Sequence, residues 1–326
     1  MTFNSSNYYE KQFPVEIEPE IVSELVTIND VIRYATSYLI ENQVYLGHGT
    51  DNYWEEAQFL VLCTIGLDPP ADDATLNARL TDREKRNIAR ALTIRVSDRV
   101  PAPYIVNRAW FCGIKFYVDE RVIIPRSPIA EMIQNNFAPY LDHAPTRILD
   151  LCTGSGCIAL ACANQFRDSV DYIAAVDISE DSLEVTQTNI ELYGLEELVE
   201  PIASDLFNNL NDEVKYDLIV SNPPYVDQVD LAQMPEEYAK EPELALDGGS
   251  DGLDLVKRIL ADAPRFLKED GVLVVEVGNS FEALNLQFPD VPFHWVEFKN
   301  GGVGVFVLSY QELVDSAKYF EEFRSK

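Results

Sequence analysis

Basic residues are scarce in this chain. Twenty-five Lys and Arg stand against 55 Asp and Glu, which leaves a formal charge of −30. Contact with a phosphate backbone needs clustered Lys and Arg, so a nucleic-acid groove is not expected. The acidity is compatible with solubility, with a saline habitat or with attraction of a basic partner. Histidine is rarer still: His48, His143 and His294 are the whole supply, and none has the spacing of a zinc site or a triad. No apolar stretch approaches the roughly 20 residues needed to cross a bilayer. Residues 1–14 are polar and lack an apolar h-region, so no signal peptide is expected. Cysteines number five, an odd count, and outside a secretory context they read as reduced thiols of a cytoplasmic protein. Cys152, Cys157 and Cys162 are evenly spaced, but the first falls at a strand end and the others on a helix. They read as small buried residues, and no metal is expected. No internal repeat or low-complexity segment appears.

What is present divides into three expected parts. Residues 1–100 read as a helical domain for substrate recognition. Ile21, Leu25, Ile28, Ile32, Ala35 and Leu39 recur at steps of three and four. Asp51 is expected to cap a second helix, and Thr81 with Glu84 to open a third through a capping box. No catalytic set is visible there. Residues 101–128 read as a linker: Pro101 and Pro103 break the helical pattern, and residues 104–124 are expected to form a β-hairpin. Residues 129–326 alternate apolar β-branched runs with helical patterns, which predicts an α/β fold with a doubly wound, largely parallel sheet. Expected strands cover residues 147–151, 172–177, 200–203, 217–221, 271–277, 293–298 and 303–308. The last two are joined through the turn signal Asn300-Gly301-Gly302. A C-terminal helix is expected over residues 310–323.

Two stretches carry the chemistry. The first is Asp150-Leu151-Cys152-Thr153-Gly154-Ser155-Gly156, a strand running into a glycine turn and an apolar helix. Glycines let the backbone approach a ligand, and the helix N-terminus offers free N–H groups. Asp177 closes the next strand 21 residues past Gly156, a spacing suited to a carboxylate that accepts both ribose hydroxyls of an adenosine ligand. Gly154 to Ala159 also fits a dinucleotide pattern, which alone permits an NAD enzyme. Three details point elsewhere. Asp150 stands where a carboxylate can meet an ammonium group. The sheet closes with an antiparallel hairpin rather than a second nucleotide-binding half. The second stretch, Asn222-Pro223-Pro224-Tyr225, follows the fourth strand, at the edge where open α/β sheets bind ligands. Its prolines stiffen the loop and leave mainly acceptors, Asn222 adds a carbonyl oxygen, and Tyr225 adds a flat face. A planar NH2 group matches that set.

Together these features resemble the seven-stranded, Rossmann-like class I methyltransferases that use S-adenosylmethionine. Within them Asn-Pro-Pro-Tyr marks enzymes acting on planar nitrogen. Residues 111–128, Phe-Cys-Gly-Ile-Lys-Phe-Tyr-Val-Asp-Glu-Arg-Val-Ile-Ile-Pro-Arg-Ser-Pro, resemble the junction of the HemK-like protein-(glutamine) methyltransferases. Members that modify release factors continue Pro-Arg-Pro-Glu-Thr-Glu. Here Pro125-Arg126-Ser127-Pro128-Ile129-Ala130-Glu131, with Gly47-His48-Gly49-Thr50-Asp51-Asn52, is similar to the branch that methylates a glutamine of large-subunit ribosomal protein three. The resemblance spans residues 30–310. It implies that Asn222, Pro223, Pro224 and Tyr225 form the catalytic loop. Asp150, Thr153, Gly154, Ser155, Gly156, Asp177, Asp205, Leu206 and Asn222 would hold the cofactor, with Asp205 and Leu206 beside the adenine. Arg126 is expected either to reach the methionine carboxylate or to pin the hairpin. Methylation of release factors and of adenine amines in DNA are the alternatives, and the acidity argues against DNA. Neither a membrane nor direct DNA binding is expected.

Overall fold

The computed structural model describes residues 18–324, so the polar residues 1–14 lie outside the described part. The chain forms two compact units. The first holds residues up to Ala109 with Val118–Glu120 and Pro235–Lys240; the second holds Trp110–Tyr117, Arg121–Met234 and Glu241 onward. Residues 101–128, expected as one linker, are thus shared between them.

The first unit is helical, as its periodicity requires. Its principal helices are Ile28–Glu41, Tyr53–Thr64 and Asp82–Ser97. Val31, Ile32, Ala35 and Leu39 are the buried face of the first, which packs on the second; the second in turn packs on the third, and Leu60, Val61, Ile88 and Leu92 are buried on those two. Thr81 and Glu84 form the expected capping box. The helix after Asp51 is capped by Asn52 instead, whose Oδ1 accepts from the N–H groups of Trp54 and Glu55. Within this unit Arg95 is buried; its Nε is 2.7 Å from Glu56 Oε1, and another guanidinium nitrogen donates to the Tyr45 carbonyl.

Prolines 101 and 103 do not end helical structure. They flank the start of a short helix, Ala102–Val106, because proline lacks an N–H that the first turn leaves unused anyway. The expected hairpin is consequently shorter than residues 104–124: β1 (Ala109–Phe111) pairs only with β2 (Ile114–Phe116). Cys112 and Gly113 both have positive φ, as a two-residue primed turn demands.

The second unit is built on one sheet. Its strands are β3 (Arg147–Leu151), β4 (Tyr172–Asp177), β5 (Val199–Ala203), β6 (Tyr216–Ser221), β7 (Leu267–Glu276), β8 (His294–Trp295) and β9 (Val305–Ser309). Their spatial order is β5-β4-β3-β6-β7-β9-β8. The first five run parallel, and β9 is antiparallel to both neighbours. Leu149, Leu151, Ile219, Leu273 and Val275 are fully buried, as parallel strands covered on both faces must be. Strand order reverses between β3 and β6. There Leu151 is in register with Ser221, which brings the glycine turn and the Asn-Pro-Pro-Tyr loop out side by side. At the opposite end of β6, Asp217 accepts from Thr146, Arg147 and the Lys268 ammonium, the last at 2.7 Å. Burial raises the pKa of Asp217, but these donors outweigh it and hold the carboxyl well below the ordinary range. The last elements are shorter than expected: β8 has two residues, and the helix at Tyr310 ends at Ser316 before two 3-10 turns.

Candidate active site

A cavity of about 240 Å³ opens at the strand-order reversal, far more than the roughly 10–15 Å³ that one water needs. It is lined by Gly154, Asp177, Asp205, Leu206, Asn222 and Pro224 among the expected residues. Asp150, Thr153, Ser155, Gly156, Pro223 and Tyr225 do not line it. They stand behind or beside those that do.

Asp177, at the C-terminal end of β4, accepts from Gly154 N at 2.9 Å on one oxygen and from Ser179 N at 3.0 Å on the other. Each oxygen keeps a further lone pair for a hydroxyl donor. Burial raises its pKa, against those backbone donors. Asp150 has no exposed surface. Its Oδ2 accepts from Thr153 Oγ at 2.6 Å and from Ala159 N at 3.1 Å, so it braces the glycine loop from beneath. Its Oδ1 is buried with no donor, and burial pushes the carboxyl up to about 7. The loop is gripped from the other side by the helix Glu180–Tyr193, where Thr186 Oγ donates to the Gly154 carbonyl and Asn189 to the Ser155 carbonyl. A Cβ on Gly156 would stand 3.0 Å from Thr186 Cγ2, so close packing as well as its positive φ requires glycine there.

Two non-glycine residues with positive φ, Cys152 and Leu206, also line the cavity. Such backbone strain collects at ligand sites. Cys152, Cys157 and Cys162 do not form a cluster of potential ligand atoms among the described residues. The only cluster of potential ligand atoms among the described residues is His143, Asp217 and Asp270, where Lys268 already holds Asp217. Burial raises the thiol of Cys157 to about 12, so it stays protonated.

Asn222 carries a second unsatisfied acceptor: its Oδ1 is closed to water and has no donor. The loop it heads is fixed on several sides. Val226 N donates to Leu246 O, and Gly248 N returns a bond to Val226 O. Tyr225 is half-buried; its hydroxyl donates to Glu276 at 2.8 Å, and Ser280 Oγ donates to its carbonyl. The segment after residue 240 is tied at its start by Glu241, which accepts two bonds of 2.6 Å from Arg126 and one from Ile124 N. Arg126 therefore clamps the chain after the hairpin to this segment. Between the ties, Leu244 is exposed and lines the cavity. Arg258 lines it too and is paired with Asp205 at 2.8 Å. The sequence alone assigned no role to Arg258, Glu276 or Ser280; Glu241 was noticed only as the start of an irregular stretch over residues 241–249 that could cover the site.

Sheet order, glycine turn, strand-end acid and acceptor loop define an S-adenosylmethionine-dependent methyltransferase of the seven-stranded class. Residues 133–240 match the family described as Methyltransferase small domain. The ribosomal protein uL3 glutamine methyltransferase of Francisella tularensis is 49% identical over 311 residues, covering 95% of this chain and 98% of that protein. The protein of the same description from Neisseria gonorrhoeae is 44% identical over 297 residues, covering 90% of this chain and 98% of its own length. Among solved structures, the ribosomal protein L11 methylase of Lactobacillus delbrueckii aligns at 16% identity with a TM-score of 0.41, over 59% of this chain and 83% of that one. The chain belongs to the ribosomal protein uL3 glutamine methyltransferase family.

Proposed function

We propose that this protein methylates the side-chain amide nitrogen of a glutamine in ribosomal protein uL3, in the cytoplasm and without binding DNA directly. The observation that carries this reading is the buried Asn222 carbonyl oxygen without a donor, at the edge of a cavity beside a stiff proline loop. Leaving such an acceptor unmade costs about 1–3 kcal/mol, which an entering amide N–H would recover. No helix among the described residues is long and apolar enough to cross a membrane.

The site's own chemistry fits S-adenosylmethionine. Asp177 has lone pairs for two ribose hydroxyls. Asp205 and Leu206 would border the adenine, and Gly154 lets the backbone come close. Asp150 keeps one buried oxygen free, and an ammonium donor near the loop would favour its charged form. Thr153, Ser155 and Gly156 shape the loop. When bound, S-adenosylmethionine supplies a methyl group on sulfonium that needs no further activation.

An amide nitrogen is a poor nucleophile, because its lone pair is spread into the carbonyl. The work left to the chain is aim. Asn222 Oδ1 and the Pro223 carbonyl would each accept one N–H, while Pro224 keeps the loop rigid and Tyr225 lies against the amide plane. These bonds strengthen as positive charge builds on the nitrogen, so they act chiefly in the transition state. Positioning then supplies most of the rate. The methylated nitrogen is briefly very acidic and gives its proton to water without a dedicated base.

The test is transfer of labelled methyl to purified uL3, with mass spectrometry to find the modified residue. Wild type should label a glutamine. Asn222→Ala should lower turnover by about 10²–10³-fold with cofactor affinity preserved. Near-normal turnover in the folded variant removes the acceptor role; absence of label on uL3 with wild type removes the function.

A further inference from the structure

Glu276 ends β7 with only 3% of its surface exposed, and the mechanism above gives it no task. Its two oxygens serve two different elements. One accepts the Tyr225 hydroxyl at 2.8 Å; the other accepts Ser127 Oγ–H at 2.6 Å. The Ser127 hydroxyl is itself oriented, because it accepts from Ile129 N at 3.1 Å. Next to it, Arg126 is the cation that faces Glu276 and is already engaged by Glu241. On the neighbouring strand β9 the residue opposite is the apolar Val305. Behind the tyrosine ring stands Gly278, where a Cβ would lie 2.4 Å from Tyr225 Cε2, so the ring has a wall on that side.

We propose that Glu276 is a positioning residue for methyl transfer: by accepting the hydroxyl hydrogens of Tyr225 and Ser127 on its two oxygens, it fixes the plane of the tyrosine ring on which the substrate amide rests. The proposal rests on the reading that the amide enters beside Tyr225. A carboxylate can accept from both hydroxyls at once. A carboxylic acid must donate its own proton to one of them, which turns that partner round and loosens the tie. Burial raises Glu276 to about 7, against the pull of Ser127, Tyr225 and Arg126. Turnover therefore falls as pH drops through that value, with Glu276 as the group that titrates.

The experiment uses the full chain, purified uL3 and labelled S-adenosylmethionine, comparing wild type with Glu276→Gln, Tyr225→Phe and the double variant. Each single change should lower kcat about tenfold above pH 7 while the cofactor Kd stays put. The double variant should be no worse than either single one, because each breaks the same Tyr225–Glu276–Ser127 tie. The acid limb of the wild-type kcat profile, taken at saturating cofactor so that cofactor binding does not contribute, should vanish in Glu276→Gln. A merely structural role would instead lower the melting temperature and leave the shape of the profile unchanged, and that result overturns the proposal. So do additive losses. If wild type leaves uL3 unlabelled, the proposed function fails by itself. The tie is then read without substrate, from the NMR shift of the Tyr225 Cζ carbon between about pH 6 and pH 8. A shift that titrates in wild type and not in Glu276→Gln supports the tie; a signal indifferent to both overturns it.

Discussion

Asp150 stands one residue before the end of β3 and Asp177 ends the neighbouring parallel strand β4, yet they carry different loads. Asp177 faces the cavity with lone pairs to spare, whereas Asp150 holds up the glycine loop and shows no surface. Replacing Asp177 with Ala should remove two charge-assisted hydrogen bonds to the ribose, each worth about 1.5–3 kcal/mol, and weaken cofactor binding at least about 100-fold. Calorimetry on the folded variant measures this, and unchanged affinity would reject the ribose assignment. The pH dependence has a definite sign. Both acids are raised by burial, and on the proposed reading the hydroxyl and ammonium donors of the cofactor would favour their charged forms. Cofactor affinity should therefore fall as pH is lowered through about 7, where Asp150 gains its proton. In Asp177→Asn the slope of log Kd against pH should become shallower, leaving the contribution of Asp150. An unaltered slope would show that Asp177 does not titrate with binding.

The acceptor loop is an element held by glycines distant in sequence. A Cβ on Gly248 would stand 2.7 Å from Tyr225 Cα and 2.9 Å from Pro224 O, both backbone atoms that cannot swing aside. Gly248→Ala should then cost about 1–3 kcal/mol in a denaturant melt and lower kcat by displacing the loop. A variant as stable and as fast as wild type would mean that the loop tolerates movement. Nothing in the local sequence announces this packing, because Gly248 reads as one more residue of an acidic, glycine-containing turn. The roles of Glu241 and Glu276 were hidden for the same reason: their partners, Arg126 and Tyr225, lie 115 and 51 residues away. Where an element is decided locally, the residues foretold it. Strands β3 and β4 and the helix Cys157–Gln165 begin and end where their apolar runs meet Thr, Asp and Gly signals. That Asn222 and Asp177 would stand at the cavity was legible because Asp177 ends such a strand and Asn222 directly follows one, at the edge where the sheet opens. The segment from Pro101 failed the opposite way. Proline's breaking effect is strong inside a helix and absent in its first turn, and spacing alone could not tell which applied.

At the scale of the molecule, the charge of −30 is the property most open to a partner's influence. A ribosomal protein is built to contact RNA phosphates and is correspondingly basic. A strongly acidic enzyme would attract it over distances that ordinary salt shortens, since the Debye length is about 8 Å at physiological ionic strength. The apparent association rate with free uL3 should therefore fall steeply as salt is added. A peptide release factor, being less basic, should give a flatter response and little product. The competition assay contains both purified proteins, labelled cofactor and a series of salt concentrations, with products separated by mass. Preferential labelling of the release factor would reassign the substrate while leaving the acceptor-loop chemistry intact, because an amide nitrogen is presented in either case. Equal salt slopes with uL3 still preferred would remove only the electrostatic contribution. Selectivity would then have to arise from short-range contacts, which screening does not reach, and the acidity would be a matter of solubility or habitat.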